Sequence, residues 1–357
     1  MSLPLPSENH QAAAVVRVLD AAANRASEAL RVVEDHARFV LDDAHLTEQW
    51  KRLRHDLTAA LAGLPTEARA QCRQTQHDVG TTISTKAERQ RTDLSAVLSA
   101  NLARLQQALR TLEEYAKVPL SPQGEGSVPS AELEAIRYRS YTLAAAMEIL
   151  RHSQDRLETV RLMVLVGHRG AAEFEQLVDR LYAAGVHAIQ LRDKQLGDRP
   201  LLAQAKDLVT AAHRHGRLAI INDRADIAAT TGAHGVHLGQ DDLSVAATRR
   251  IVGPHVLIGV STHSLAQAKQ AVLDGANYIG VGPTFPSETK KFDQFPGPAL
   301  LREVAEQIRL PAFAIGGIAA ARLPEVLGTG MTRVAAGQAI TEAADPAQAA
   351  AEFLAKL

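Results

Sequence analysis

Several groups of residues have types and spacing suited to handling phosphate. The first is Gln190-Leu191-Arg192-Asp193-Lys194. Read as the end of a strand, its two-residue period puts Gln190, Arg192 and Lys194 on one side and Ile189 and Leu191 on the other. The guanidinium fork of Arg192 matches the oxygens of a phosphate, and an internal Arg–Asp pair is the competing use. The second group is acidic: Asn222-Asp223, and Asp241-Asp242 after His237-Leu238-Gly239-Gln240. Mg²⁺ takes oxygen ligands, one or two of them carboxylates beside substrate phosphate. Asp223 and Asp242 are read as such ligands, and Asp241, close before Ser244, as a helix cap. Ser261 could meet the polar edge of a heterocycle or cap a helix. The loop 282–291 brings Ser287, Thr289, Lys290 and Lys291 together, as a phosphate site or a plain polar surface would. Gly316-Gly317 and Gly337-Gln338 would let phosphate approach backbone N–H groups.

These groups need a frame. Short apolar runs at 161–166, 186–192, 218–222, 234–238, 257–261, 277–282, 311–315 and 332–336 alternate with amphipathic helical stretches. Strand–helix alternation predicts a parallel sheet. Eight units favour an α/β fold closed as a (β/α)8 TIM barrel, and the chemically rich residues all follow strands, where such barrels carry their sites. No G-x-G-x-x-G follows the first strand, which argues against a dinucleotide fold.

Residues before about 159 have a different grammar. Helices are expected over 12–41, 44–62, 92–117 and 131–158, with loops over 65–85 and 119–129. The expected organisation is an all-α N-terminal domain, 1–158, and a barrel, 159–357. Segment 25–38 echoes segment 104–117: Arg25, Ala29, Leu30, Arg31, Glu34 and Ala37 match Arg104, Ala108, Leu109, Arg110, Glu113 and Ala116, each 79 positions on. Two readings stay open: solvated ion pairs on two amphipathic helices, or paired helices presenting matched polar groups to one cleft.

Composition bounds the partners. The 357 residues carry 39 basic and 40 acidic side chains, which gives no sign of a nucleic-acid or membrane-surface binder. No apolar run reaches the roughly 20 residues of a membrane span. Cys72 is the lone cysteine, so no intrachain disulfide can form. The start of the chain lacks a signal-peptide pattern, and a cytoplasmic protein acting on small molecules is expected. Homo-oligomerisation stays open.

The strings QLRDK at 190–194, ND at 222–223, HLGQDD at 237–242, GVST at 259–262, GPTFPSETKK at 282–291 and AIGGI at 314–318 resemble the thiamine-phosphate synthase family, in that family's order. The resemblance implies condensation of 4-amino-2-methyl-5-(diphosphooxymethyl)pyrimidine with 4-methyl-5-(2-phosphooxyethyl)thiazole to thiamine phosphate and diphosphate. It implies pyrimidine-diphosphate contacts at Gln190, Arg192, Lys194, Asn222, Ser261 and Lys290, and Mg²⁺ on Asp223 and Asp242. It also implies thiazole-phosphate contacts at Ser287, Thr289, Gly317, Gly337 and Gln338. Of these, Arg192, Lys194, Ser261 and Lys290 are expected to act on the reacting groups. The sequence departs from the family pattern at Asp193 (usually Glu), at Gly167-His168 (Thr-Asp) and at Gly337-Gln338 (an aliphatic residue and Ser). A thiazole tautomerase-like barrel with a non-catalytic helical module is the alternative. The set Arg192, Lys194, Asp223, Asp242 and Lys290 favours the synthase.

The strings at 24–39, 53–57, 77–83 and 109–117 resemble a helical family assigned as an alternative hydroxymethylpyrimidine-phosphate kinase. Its polar candidates are Arg25, Arg31, Glu34, His55, Asp78, Arg110 and Glu113. No Walker-type loop is present, so the residues by themselves favour a non-catalytic docking or dimerisation module.

Overall fold

A computed structural model describes residues 8–64, 90–120, 128–286 and 295–357. Ser287, Thr289, Lys290, Cys72, Asp78 and the 77–83 string lie outside the described residues. The chain divides into two compact units, 1–145 and 146–357. The division falls within a helix, before the 158/159 boundary expected above.

The first unit contains α1 (Glu8–Phe39), α2 (Ala44–Ala60), α3 (Leu94–Tyr115) and the first part of α4 (Ser130–Leu157). Asp43 and Asp93 set the starts of α2 and α3: each carboxylate accepts a backbone N–H three residues on, from Leu46 and Ala96, at 2.8 Å. Apolar positions at helical spacing, Leu19, Leu30, Leu53, Trp50, Leu105 and Leu112 among them, are fully buried.

The echo seen in the sequence is structural. Glu34 of α1 is buried, and its carboxylate accepts from Arg31 at 3.3 Å and from Arg54 of α2 at 2.7 Å. Glu113 of α3 is buried likewise and accepts from Arg110 and from Arg137 of α4, both at 2.6 Å. Each helix pair thus repeats one arrangement: a buried glutamate, an arginine three residues before it, and an arginine on the next helix. Of the two readings left open, solvated pairs do not describe these glutamates.

In the second unit eight parallel strands close a barrel in sequence order. They are β1 (Leu162–Val166), β2 (Ala188–Leu191), β3 (Leu218–Asn222), β4 (Gly235–Leu238), β5 (Leu257–Thr262), β6 (Tyr278–Val281), β7 (Ala312–Ile315) and β8 (Val334–Ala336). β8 returns to pair with β1, Leu162 opposite Val334. The expected TIM barrel is found. Helices α5 (Ala171–Ala183), α6 (Asp198–His215), α7 (Ala225–Thr231), α8 (Val245–Val252), α9 (Leu265–Leu273), α10 (Gly297–Gln307) and α11 (Leu323–Leu327) connect the strands, and α12 (Gln338–Thr341) and α13 (Pro346–Leu354) end the chain. Expected and observed element limits differ by a few residues.

The barrel interior is filled by Met163, Ala188, Ile220, Leu257, Tyr278, Phe313 and Ala335, with Leu157 and Val160 packed below them. Tyr278 dictates its neighbour. A Cβ at position 259 would lie 2.1 Å from the tyrosine ring, so only glycine leaves room for it.

Candidate active site

The strand period carries from this core to the mouth. Ala188 faces inward, so Gln190 and Arg192 follow it on the same side, and Ile189 and Leu191 are buried on the other, as expected. The same parity puts Asn222 above Ile220, Ser261 above Leu257 and His237 across from Gly259. At the C-terminal ends of the strands lies a cavity of about 780 Å³, large enough for a drug-sized ligand.

Arg192, Lys194, Ser261, Gly317, Gly337 and Gln338 all line this cavity. Arg192 is half-buried and makes no ion pair within 4 Å among the described residues, although its charge acts on the Asp223 carboxyl. Gln190 lies deeper: it is buried, outside the lining, and its amide donates to the Met163 sulfur at 3.7 Å. Asn222 also stands outside the lining.

Asp223 and Asp242 meet beside the cavity. The Lys194 ammonium lies 3.8 Å from Asp223 Oδ2. Burial, and then the adjacent Asp242 carboxylate, push the Asp223 carboxyl up to about 6. Two adjacent carboxylates form an oxygen-rich site of the kind Mg²⁺ favours, and the donor chemistry fits that ion. Asp223 also adopts a left-handed backbone, φ 63°, which Asp tolerates better than most residues. Its N–H donates to the His237 carbonyl at 2.8 Å, and the Gly239 N–H donates to Asp242 Oδ2 at 2.7 Å. The loops after β3 and β4 therefore hold the two acids together.

The capping expectation for Asp241 is corrected. Ser244 caps α8, accepting from the Ala247 N–H at 3.2 Å. Ser264 caps α9, so Ser261 is not a cap either. Its hydroxyl is paired with His237 Nε2 at 2.9 Å, and His237 Nδ1 lies 3.2 Å from the Tyr278 hydroxyl. Burial, aided by the charge of Arg192, pushes His237 down to about 4. The ring is neutral at physiological pH and orients the serine.

Sequence reasoning passed over His237, although it lies within the HLGQDD string. It also treated His168 and Asp193 as separate departures. They touch: His168 Nδ1 lies 2.8 Å from Asp193 Oδ2 at the cavity wall. Burial works against the Asp193 charge, but the N–H groups of Gln195 and Leu196 and the His168 ring hold its carboxyl below the usual range. A strand-to-strand pair of this kind carries no signal in one sequence.

On the opposite wall Gly317 adopts φ 63°, and a Cβ there would lie 2.6 Å from the Pro286 carbonyl oxygen. Gly337 stands at the start of α12, beside Gln338. Glycine at 317 is thus required by the close approach of the backbone after β6, and both Gly317 and Gly337 line the cavity.

Residues 162–340 match the family described as thiamine monophosphate synthase, and residues 17–146 match the ThiD2 family. A Rhodopirellula baltica protein named thiamine-phosphate synthase is 44% identical over 337 residues, covering 92% of this chain and 88% of that one. The chain belongs to the thiamine-phosphate synthase family. A Gloeobacter violaceus protein of the same name is 40% identical and covers 96% of this chain and 97% of its own. A solved Pyrococcus furiosus thiamine phosphate pyrophosphorylase superposes with a TM-score of 0.50 at 30% identity, covering 55% of this chain and 95% of its own. Both expected resemblances are found, and the chain is a transferase of thiamine biosynthesis.

Proposed function

We propose that the barrel joins the pyrimidine-methyl diphosphate to the thiazole phosphate, with Asp223 and Asp242 as the Mg²⁺ ligands. The observation that carries this reading is a cavity lined by Arg192 and Lys194, with the acid pair Asp223 and Asp242 next to Lys194 at neighbouring strand ends. The carbon–oxygen bond to the diphosphate breaks, and the leaving group keeps the electron pair. The thiazole nitrogen then donates its pair to the methylene carbon. No side-chain nucleophile is needed. Arg192 and Lys194 stabilise the charge growing on the leaving oxygens. Mg²⁺ bound there supplies further neutralisation of the diphosphate. Ser261, fixed by His237, holds the pyrimidine edge. Gly317, Gly337 and Gln338 receive the thiazole phosphate, which keeps the two rings within attack distance. Gln190 and Asn222 support the pyrimidine end from below. Ser287, Thr289 and Lys290, which follow β6 in the sequence, complete the set.

The helical unit is proposed to phosphorylate hydroxymethylpyrimidine phosphate and so to make the diphosphate that the barrel consumes. The test is a paired assay of the full-length protein. One tube holds thiazole phosphate, Mg²⁺, ATP and the pyrimidine monophosphate. The other holds the pyrimidine diphosphate without ATP. Thiamine phosphate in both is expected. Product with the diphosphate alone refutes the kinase, and product in neither refutes the synthase.

A further inference from the structure

The helical unit holds a cavity of about 550 Å³ between α1 and α3. Its lining follows the internal repeat. Arg25 faces it with Arg104, Glu28 with Gln107, and Ala29 with Ala108, each pair separated by the same 79 positions. The cavity therefore lies where the two repeats meet, with equivalent residues facing it from both sides.

The charges are arranged unevenly around this cavity. Arg31, Arg54, Arg110 and Arg137 are committed to the buried carboxylates of Glu34 and Glu113. Arg25 and Arg104 are exposed, and neither makes an ion pair or a side-chain hydrogen bond among the described residues. Two unpaired guanidinium groups thus face one space, and Glu28 is the acidic residue in its described lining. Two arginines brought to equivalent places around a cavity can grip a tetrahedral dianion from opposite sides. The alanines leave the floor between them clear. Glu28 and Gln107 occupy equivalent positions with different chemistry, an acceptor facing an amide. A ligand held there has one end for the arginines and a polar ring that distinguishes the other two.

We propose that this cavity binds a small phosphomonoester, with Arg25 and Arg104 on the phosphate and Glu28 and Gln107 on its polar body. The class of ligand follows from the cavity. The choice of pyrimidine monophosphate as the probe rests on the kinase reading above.

The experiment uses the full-length protein. Binding of hydroxymethylpyrimidine monophosphate is measured by equilibrium dialysis, for the parent and for the Arg25→Ala/Arg104→Ala double variant. In parallel, phenylglyoxal modification of Arg25 and Arg104 in the parent is read by peptide mass spectrometry, with and without the monophosphate. We expect the double variant to bind at least tenfold more weakly and the ligand to shield both arginines. Glu28→Gln retains the phosphate grip and binds no more weakly than about threefold. A melting transition of the helical unit unchanged from the parent reports that the variants are folded, and barrel activity on supplied pyrimidine diphosphate stays unchanged. Binding within twofold of the parent in the double variant, or no shielding of either arginine, overturns the proposal. Binding and shielding without ATP consumption upholds the site and refutes the kinase reading instead.

Discussion

Arg192 sits half-buried at the end of β2 with no carboxylate of its own, while Lys194 leans toward Asp223. A cation held partly out of water without a partner is poised for an anionic ligand. Arg192→Ala should lower kcat/KM by about 10²–10³-fold, the scale seen when one preorganised donor to a developing charge is removed. The thermal midpoint should hardly change, because no described ion pair is broken. Steady-state kinetics beside a melting curve checks both. For the acid pair the informative change is Asp223→Asn, since Asn also accepts the left-handed backbone that Ala would strain. It should keep the fold and lose the response to Mg²⁺.

The acid pair also makes a pH prediction. Asp223 is raised to about 6, so without metal the folded state keeps a proton that the unfolded chain has released. The group favours the folded state at low pH, and that contribution is lost as pH rises through about 6. A cation must displace the same proton. Affinity for Mg²⁺ should climb about tenfold per pH unit up to about 6 and then level off, which calorimetric titration at several pH values measures. His237, lowered to about 4, carries no charge across most of that window. An affinity that does not vary between pH 5 and 7 removes Asp223 from the ligand set.

At the scale of elements, the loops after β3 and β4 matter more than the strands that lead to them. Backbone donors in both loops fix the acids: the His237 carbonyl accepts from Asp223, and Gly239 donates to Asp242. Beneath them the Tyr278 ring fills the space that Gly259 leaves. Gly259→Ala should cost about 1–3 kcal/mol, as overpacking of a filled core does. Tyr278 would shift, and with it His237 and then Ser261, which are joined by hydrogen bonds. Denaturant unfolding with kinetics on the pyrimidine diphosphate should therefore show lost stability and a raised KM together. A drop in stability with unchanged kinetics would separate the core from the site.

The two compact units carry separate commitments. In the helical unit the buried Glu113 holds Arg110 and Arg137. Glu113→Ala leaves Arg137 buried without its carboxylate, and loss of one partner from such a pair costs about 3–5 kcal/mol. The expected result is a helical unit that melts earlier while the barrel still turns over supplied diphosphate. Loss of both would mean that the units do not stand apart energetically. Among the described residues no helix is long and apolar enough to cross a membrane.

Much of this molecule is legible from local patterns. Strand–helix alternation, with its change of period from two to 3.6, dictates eight βα units whose polar residues gather at strand ends. The 79-residue echo is likewise visible without coordinates. These features are local, or repeat at a fixed interval, and a linear string preserves both. What tertiary structure decided is which distant residues meet. It joined Asp223 to Asp242, and His168 to Asp193. It placed His237 beneath Ser261, gave the caps to Ser244 and Ser264 rather than Asp241 and Ser261, and took Gln190 below the cavity. It also brought Arg25 and Arg104 to one cavity. The physical reason is that hydrogen bonds and Coulomb interactions depend on distances across the closed sheet and between helices. Periodicity fixes the face on which a side chain lies, and only packing fixes what stands opposite.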